Sequence, residues 1–219
     1  MSSSSTANSS DTVKRGSLFS RIFSVSDQFV NYYYYHQSPT NQMIHFVFVP
    51  VIALSLIMLC FKVDLQHVDT VRWLIVDVLK LSSEWCNLAV LVSAVLMVYY
   101  LILDRIAGFL LSLEFFGMVV LSHYFHLRWI HSPSTYYWFA VIIQVIGWAT
   151  QFYGHYLEGK RPALIDNVFQ IFIAPLFVLF ELLFMLGLRL DLKELAEKKL
   201  KEKNLAVASA YSKKGKVEK

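Results

Sequence analysis

Seven histidines, His36, His45, His67, His123, His126, His131 and His155, are the residues best able to do chemistry in this chain. Neutral imidazole binds metals and moves protons near neutral pH. Beside long apolar runs such groups are costly to bury, which makes each a candidate for function. His36 and His45 are nine apart, the wrong spacing for one helix face, and Ser38-Pro39-Thr40-Asn41 breaks the chain between them. A turn there folds the end of one helix against the start of the next. His155 and Glu158 are i and i+3, and share a face if the helix reaches that far. Three imidazoles and a carboxylate with positions left open suit an iron(II) that must bind both a substrate and O₂. Taken singly, each has a plainer reading: a histidine beside a tyrosine-rich interface is an anchor, and Glu158, Lys160 and Arg161 form an ordinary charged loop.

The elements that must position these groups are apolar. Five runs, about 43–61, 86–103, 106–124, 136–154 and 168–188, each approach the ~20 residues that cross a bilayer. The expected fold is therefore all-α, a polytopic membrane bundle of about five transmembrane helices plus interfacial ones. Ser26 to His36 reads as a short interfacial helix whose Tyr32-Tyr33-Tyr34-Tyr35 run suits the headgroup level. Asn41 is expected to cap the next helix. Residues 64–82 alternate charge and apolarity, as in a helix lying on the membrane. The short Asp104-Arg105 link predicts a tight hairpin, and Pro175 a kink in the last run. Counting spans sorts the histidines. His36, His45 and His155 fall on the face where the first span begins, and His67, His123, His126 and His131 on the other. A second metal pair at His123 and His126, spaced i and i+3, is weighed against an interfacial role, and the interfacial role is favoured. Glu114 and Glu181, inside spans, are expected to find bundle hydrogen bonds.

Of the 219 residues, 56% are hydrophobic and 16% charged, against about 45–50% and 25% in soluble domains. Half of the lysines and arginines lie from Arg189 onward, so the net charge of +4 describes a tail rather than a nucleic-acid surface. Residues 1–25 read as a disordered N-terminus, 26–190 as a membrane-embedded catalytic unit and 191–219 as a charged, partly helical tail. Cys60 and Cys86 match neither a zinc site nor a disulfide framework. No glycine-rich loop after a strand suggests a nicotinamide or flavin.

Two blocks carry a family resemblance. His36-Gln37-Ser38-Pro39-Thr40-Asn41-Gln42-Met43-Ile44-His45 has the pattern H-x-x-P-x-N-x-x-x-H. Gln151 to Leu164 has the pattern Q-F-x-G-H-x-x-E-x-[KR]-[KR]-P-A-L. Together they resemble the fungal 2-hydroxy fatty acid dioxygenase family, over roughly residues 28–190. The resemblance implies a multi-pass enzyme of the endoplasmic reticulum membrane that uses Fe²⁺ and O₂. The reaction it implies shortens a long-chain 2-hydroxy fatty acid by one carbon, the α-oxidation of acids derived from phytosphingosine. By position it implies His36, His45 and His155 as iron ligands, with Glu158 a fourth ligand or a partner of the ligands. Lys160 or Arg161 would meet the substrate carboxylate, and Asn41 is placed with them at the substrate. The alkyl chain would lie between spans.

Two other readings compete. A di-iron desaturase or hydroxylase carries about eight histidines in tight clusters, and this chain has seven, with no adjacent pair. A membrane adaptor or small transporter with structural histidines would lean instead on Glu114, Glu181 and Pro175.

Overall fold

The computed structural model describes residues 24–160, 162 and 169–202. The expected disorder of the N-terminus and the end of the tail lies outside these residues, as does Arg161. The described chain is helical, with no strand among the described residues beyond an isolated bridge between Asp64 and Asn87. In order come α1 (Val25–Tyr35), α2 (Pro39–Phe61), a short α3 (Asp69–Arg72), α4 (Leu88–Leu103), α5 (Arg105–Arg128), α6 (Pro133–Glu158), α7 (Gln170–Met185) and α8 (Leu190–Glu202).

The all-α membrane bundle stands, with two to three helices that are candidates to span a membrane by length and composition, plus other helices. By length and apolar character α2 and α5 can cross a membrane. The pair α7–α8, bent by 107°, makes a third candidate only if it counts as one broken span. Helix α4 is apolar but has 16 residues, about 24 Å of rise. Helix α6 has 26, yet Gln144, Thr150, Gln151 and His155 dilute its apolar face.

Helix α2 is the central element. It packs along α6 on one side and against α4, α5 and α7 on the other. Helices α4 and α5 form the predicted hairpin, because Asp104 caps α5 by accepting from Ile106 N at 3.1 Å and Ala107 N at 2.9 Å. Arg189 pairs with the same carboxylate and so ties the start of α8 to the hairpin. Phe29 of α1 meets Phe177, Phe180 and Phe184 of α7 edge-on, which seats the interfacial helix on the bundle. In the segment read as a helix lying on the membrane, Trp73, Leu74 and Val78 are exposed, and the helix is short and loosens into a π turn over Trp73–Val78. Pro50, which the sequence reading passed over, and Pro175 both sit within continuous helices.

Candidate metal centre

Three local features bring the histidines together. His36 follows the last residue of α1, where carbonyls lack intrahelical partners. Its Nδ1 lies 2.9 Å from the Tyr32 carbonyl one turn back. Pro39 opens α2 at N1, a position that needs no N–H, and reverses the chain within three residues. Two turns into α2, His45 Nδ1 lies 3.0 Å from the Asn41 carbonyl. His155 comes from the last turn of α6, which Gly159 ends in the left-handed region at φ 71°. All three rings are buried, and one nitrogen from each falls within 4.8 Å of the others.

The tautomers follow from the partners. A ring nitrogen facing a carbonyl must carry the proton, so Nε2 of both His36 and His45 presents a lone pair. Those two atoms lie 3.2 Å apart. Two lone pairs at that distance repel unless a cation or a proton sits between them. Two imidazoles bound to one ion at about 2.1 Å stand about 3.0–3.4 Å apart for angles between octahedral and tetrahedral. Burial first, and then the neighbouring His45, hold the His36 imidazole well below its usual pKa, so the neutral, coordinating form prevails at neutral pH. His155 Nδ1 is buried with no hydrogen-bond partner among the described residues. A neutral three-nitrogen set with open positions fits a divalent transition metal, iron(II) or zinc.

Glu158 is not grouped with the three rings but is bound to the turn that carries two of them. It accepts from Gln37 N at 2.6 Å, Ser38 N at 3.2 Å and Asn41 Nδ2 at 2.6 Å, and its side chain is 4% exposed. The carboxylate thus closes the α6 terminus onto the N-terminus of α2, where negative charge is favoured. Lys160 Nζ stands 3.6 Å from it at the more exposed rim. Asn41 is not the cap expected from sequence. Ser38 is the N-cap residue, and Asn41, one turn inside, is fully buried with its amide on Glu158. Gly154 allows this contact, since a Cβ there would collide with Asn41 Oδ1. Gly154→Ala is therefore expected to push α6 off α2, costing about 1–3 kcal/mol. Thermal unfolding in detergent with and without added metal checks this, the larger loss falling on the metal-loaded form.

Two neighbours escaped the sequence reading. Tyr32 stacks on His36 with centroids 3.9 Å apart, and its buried hydroxyl lies beside the Glu181 carboxylate. Gln151 is buried one turn before His155. In both cases the i, i+4 spacing to a candidate ligand was the available signal. On the opposite face His126 Nδ1 lies 3.1 Å from Lys62 Nζ and His123 packs against Trp85, while His67 and His131 are exposed. Among the described residues only His36, His45 and His155 converge as a metal-ligand group.

From these rings an apolar cleft runs along α2 towards the other face. Val49, Leu56 and Cys60 line it from α2, Ala89 and Leu96 from α4, and Phe115 from α5. Fold and site together define an all-helical membrane protein with a buried three-histidine cluster at the head of an apolar cleft.

The comparisons give that class a family. A sequence model described as 2-hydroxy-palmitic acid dioxygenase Mpo1-like matches residues 22–186, and the chain belongs to that family. It is 33% identical over 178 residues to the 2-hydroxy-palmitic acid dioxygenase MPO1 of Saccharomyces cerevisiae, covering 80% of this chain and 89% of the relative. No solved structure matches it.

Proposed function

We propose that this protein is an Fe²⁺-dependent dioxygenase that shortens long-chain 2-hydroxy fatty acids by one carbon, with His36, His45 and His155 as the metal ligands. The observation that carries the reading is the pair of Nε2 atoms 3.2 Å apart, both with Nδ1 committed to a backbone carbonyl. Family membership and the name of the yeast relative supply the substrate class.

When bound, Fe²⁺ supplies redox chemistry with O₂ and a Lewis-acid centre for the hydroxyl and carboxylate of the substrate. The chain does the rest. Backbone carbonyls at Tyr32 and Asn41 fix the tautomer and aim two of the rings. Glu158 and Asn41 hold the two halves of the site in register. Lys160 at the rim, with Arg161 following it in sequence, meets the substrate carboxylate. The alkyl chain lies in the cleft, where each buried methylene contributes about 0.8 kcal/mol. Phe152 and Phe172 line the histidine end of the cleft while remaining about half exposed, which opens that end sideways to the bilayer. A 2-hydroxy acid and one O₂ balance as the acid one carbon shorter, carbon dioxide and water: the C1–C2 bond breaks and C2 is oxidised to a carboxyl. The activity proposed here belongs to a multi-pass protein of the endoplasmic reticulum membrane, a location that rests on the family resemblance alone.

Removal of the metal tests the reading. Purified protein treated with a chelator is expected to lose turnover of a long-chain 2-hydroxy acid and to regain it with Fe²⁺ but not with Zn²⁺. Turnover that persists in chelated protein, or returns with zinc, would sink it.

A further inference from the structure

We propose that the floor of the cleft, formed by Cys60 near the end of α2 and Ala89 at the start of α4, measures the acyl chain and sets the length the enzyme prefers. The inference rests on the reading above, in which the polar head sits at the histidines.

Length gives the first argument. His45 and Cys60 both face the cleft from one helix, 15 residues apart, so it is about 22 Å deep along α2. A staggered alkyl chain advances about 1.25 Å per carbon, which sets the matching acid at about 16–18 carbons.

The structure beneath the floor also limits the chain. Below Cys60 and Ala89 the backbone closes on itself. Leu88 N donates to Val63 O at 3.0 Å, Leu65 N donates to Cys86 O at 2.8 Å, and the Asp64–Asn87 bridge lies between them. Lys62 and Asp64 are exposed just outside. A chain that overran the floor would push its methyl end into this polar, hydrogen-bonded knot. Each methylene that loses its burial lowers kcat/KM about fourfold. Ala89 lines this end of the cleft with a small side chain, so a larger one there would project into the space the chain end needs.

The test combines a turnover profile with a binding readout that needs no turnover. Ala89→Leu extends the floor upward by about two carbons. Its optimum should fall by two carbons, with about a 15-fold loss of kcat/KM for the acid the wild type prefers relative to the acid two carbons shorter. Cys60→Ala should move the tolerance towards longer acids. Cys60 also reports directly, because it is half-buried in the cleft whereas Cys86 is buried outside it. In the wild type, a sixteen-carbon 2-hydroxy acid should slow maleimide labelling of Cys60, read peptide by peptide in a mass spectrometer. An eight-carbon acid should leave labelling unchanged. Equal protection by both acids, or a folded Ala89→Leu with an unaltered length profile, overturns the ruler and leaves the dioxygenase reading in place. Absence of turnover for every 2-hydroxy acid with wild-type protein, by contrast, counts against that reading itself.

Discussion

His155→Ala is expected to abolish turnover and release the metal while leaving the helices in place. The ring reaches the cluster from the last turn of α6, and that turn is ended independently by Gly159, with Gly159 N on Tyr156 O at 3.1 Å and Lys160 N on His155 O at 3.2 Å. Removing the imidazole thus deletes one of the three proposed ligands without touching the helix that carries it. Loss of a group that merely supports a ligand lowers metal affinity or activity by about 10–100-fold, and loss of the ligand itself should exceed that range. The measurement is metal content per chain together with product formed. His126→Ala is the control: it sits on the other face, bound to Lys62, and should stay within about twofold of the wild type. Equal losses in both variants would mean that the three-histidine cluster has no special role.

Glu158→Ala is expected to give the second-largest effect, and in a different form. Its carboxylate satisfies two backbone N–H groups of the α1–α2 turn and the amide of a fully buried asparagine, some 120 residues away in sequence. Leaving such donors unpaired costs about 1–3 kcal/mol each before water enters, so about 2–4 kcal/mol of stability should go. Because the turn carries both His36 and His45, metal affinity should fall by about 10–100-fold while some binding survives. Glu158→Gln should land between the two: its carbonyl can still accept from the turn, but its amide nitrogen meets the Asn41 amide donor to donor. Denaturation midpoints and a metal titration separate these outcomes. A variant with full affinity and reduced turnover would instead assign Glu158 to the reacting groups.

How much of this was legible in the sequence depends on which forces set each feature. The histidine grouping was legible because apolar runs and the Pro39 break fix which ends of which helices share a face, whatever the packing. The spacing of His155 and Glu158 was legible as well, but not the partner of Glu158, which is created only when α6 lies along α2. Asn41 was misread for a related reason. Asparagine is a good N-cap, yet Ser38 followed by Pro39 is a stronger start, and the freed amide turned to the buried carboxylate. The helix ends were less legible, because apolar composition marks a run but not where its helix stops, as the 16 residues of α4 and of α7 show. The cleft left no trace at all. Helices in a membrane bundle are apolar on every side, so no stripe in the sequence tells a lipid-facing residue from one that lines a cavity.

The central claim is best tested by following O₂ and product together. Purified, Fe²⁺-loaded protein would be given a sixteen-carbon 2-hydroxy acid in a closed cell, with oxygen uptake recorded and the acids analysed by mass. The expected result is one O₂ consumed per molecule of acid one carbon shorter, with neither change in the His155→Ala variant. Loss of substrate without oxygen uptake, or a product that keeps every carbon, would contradict it.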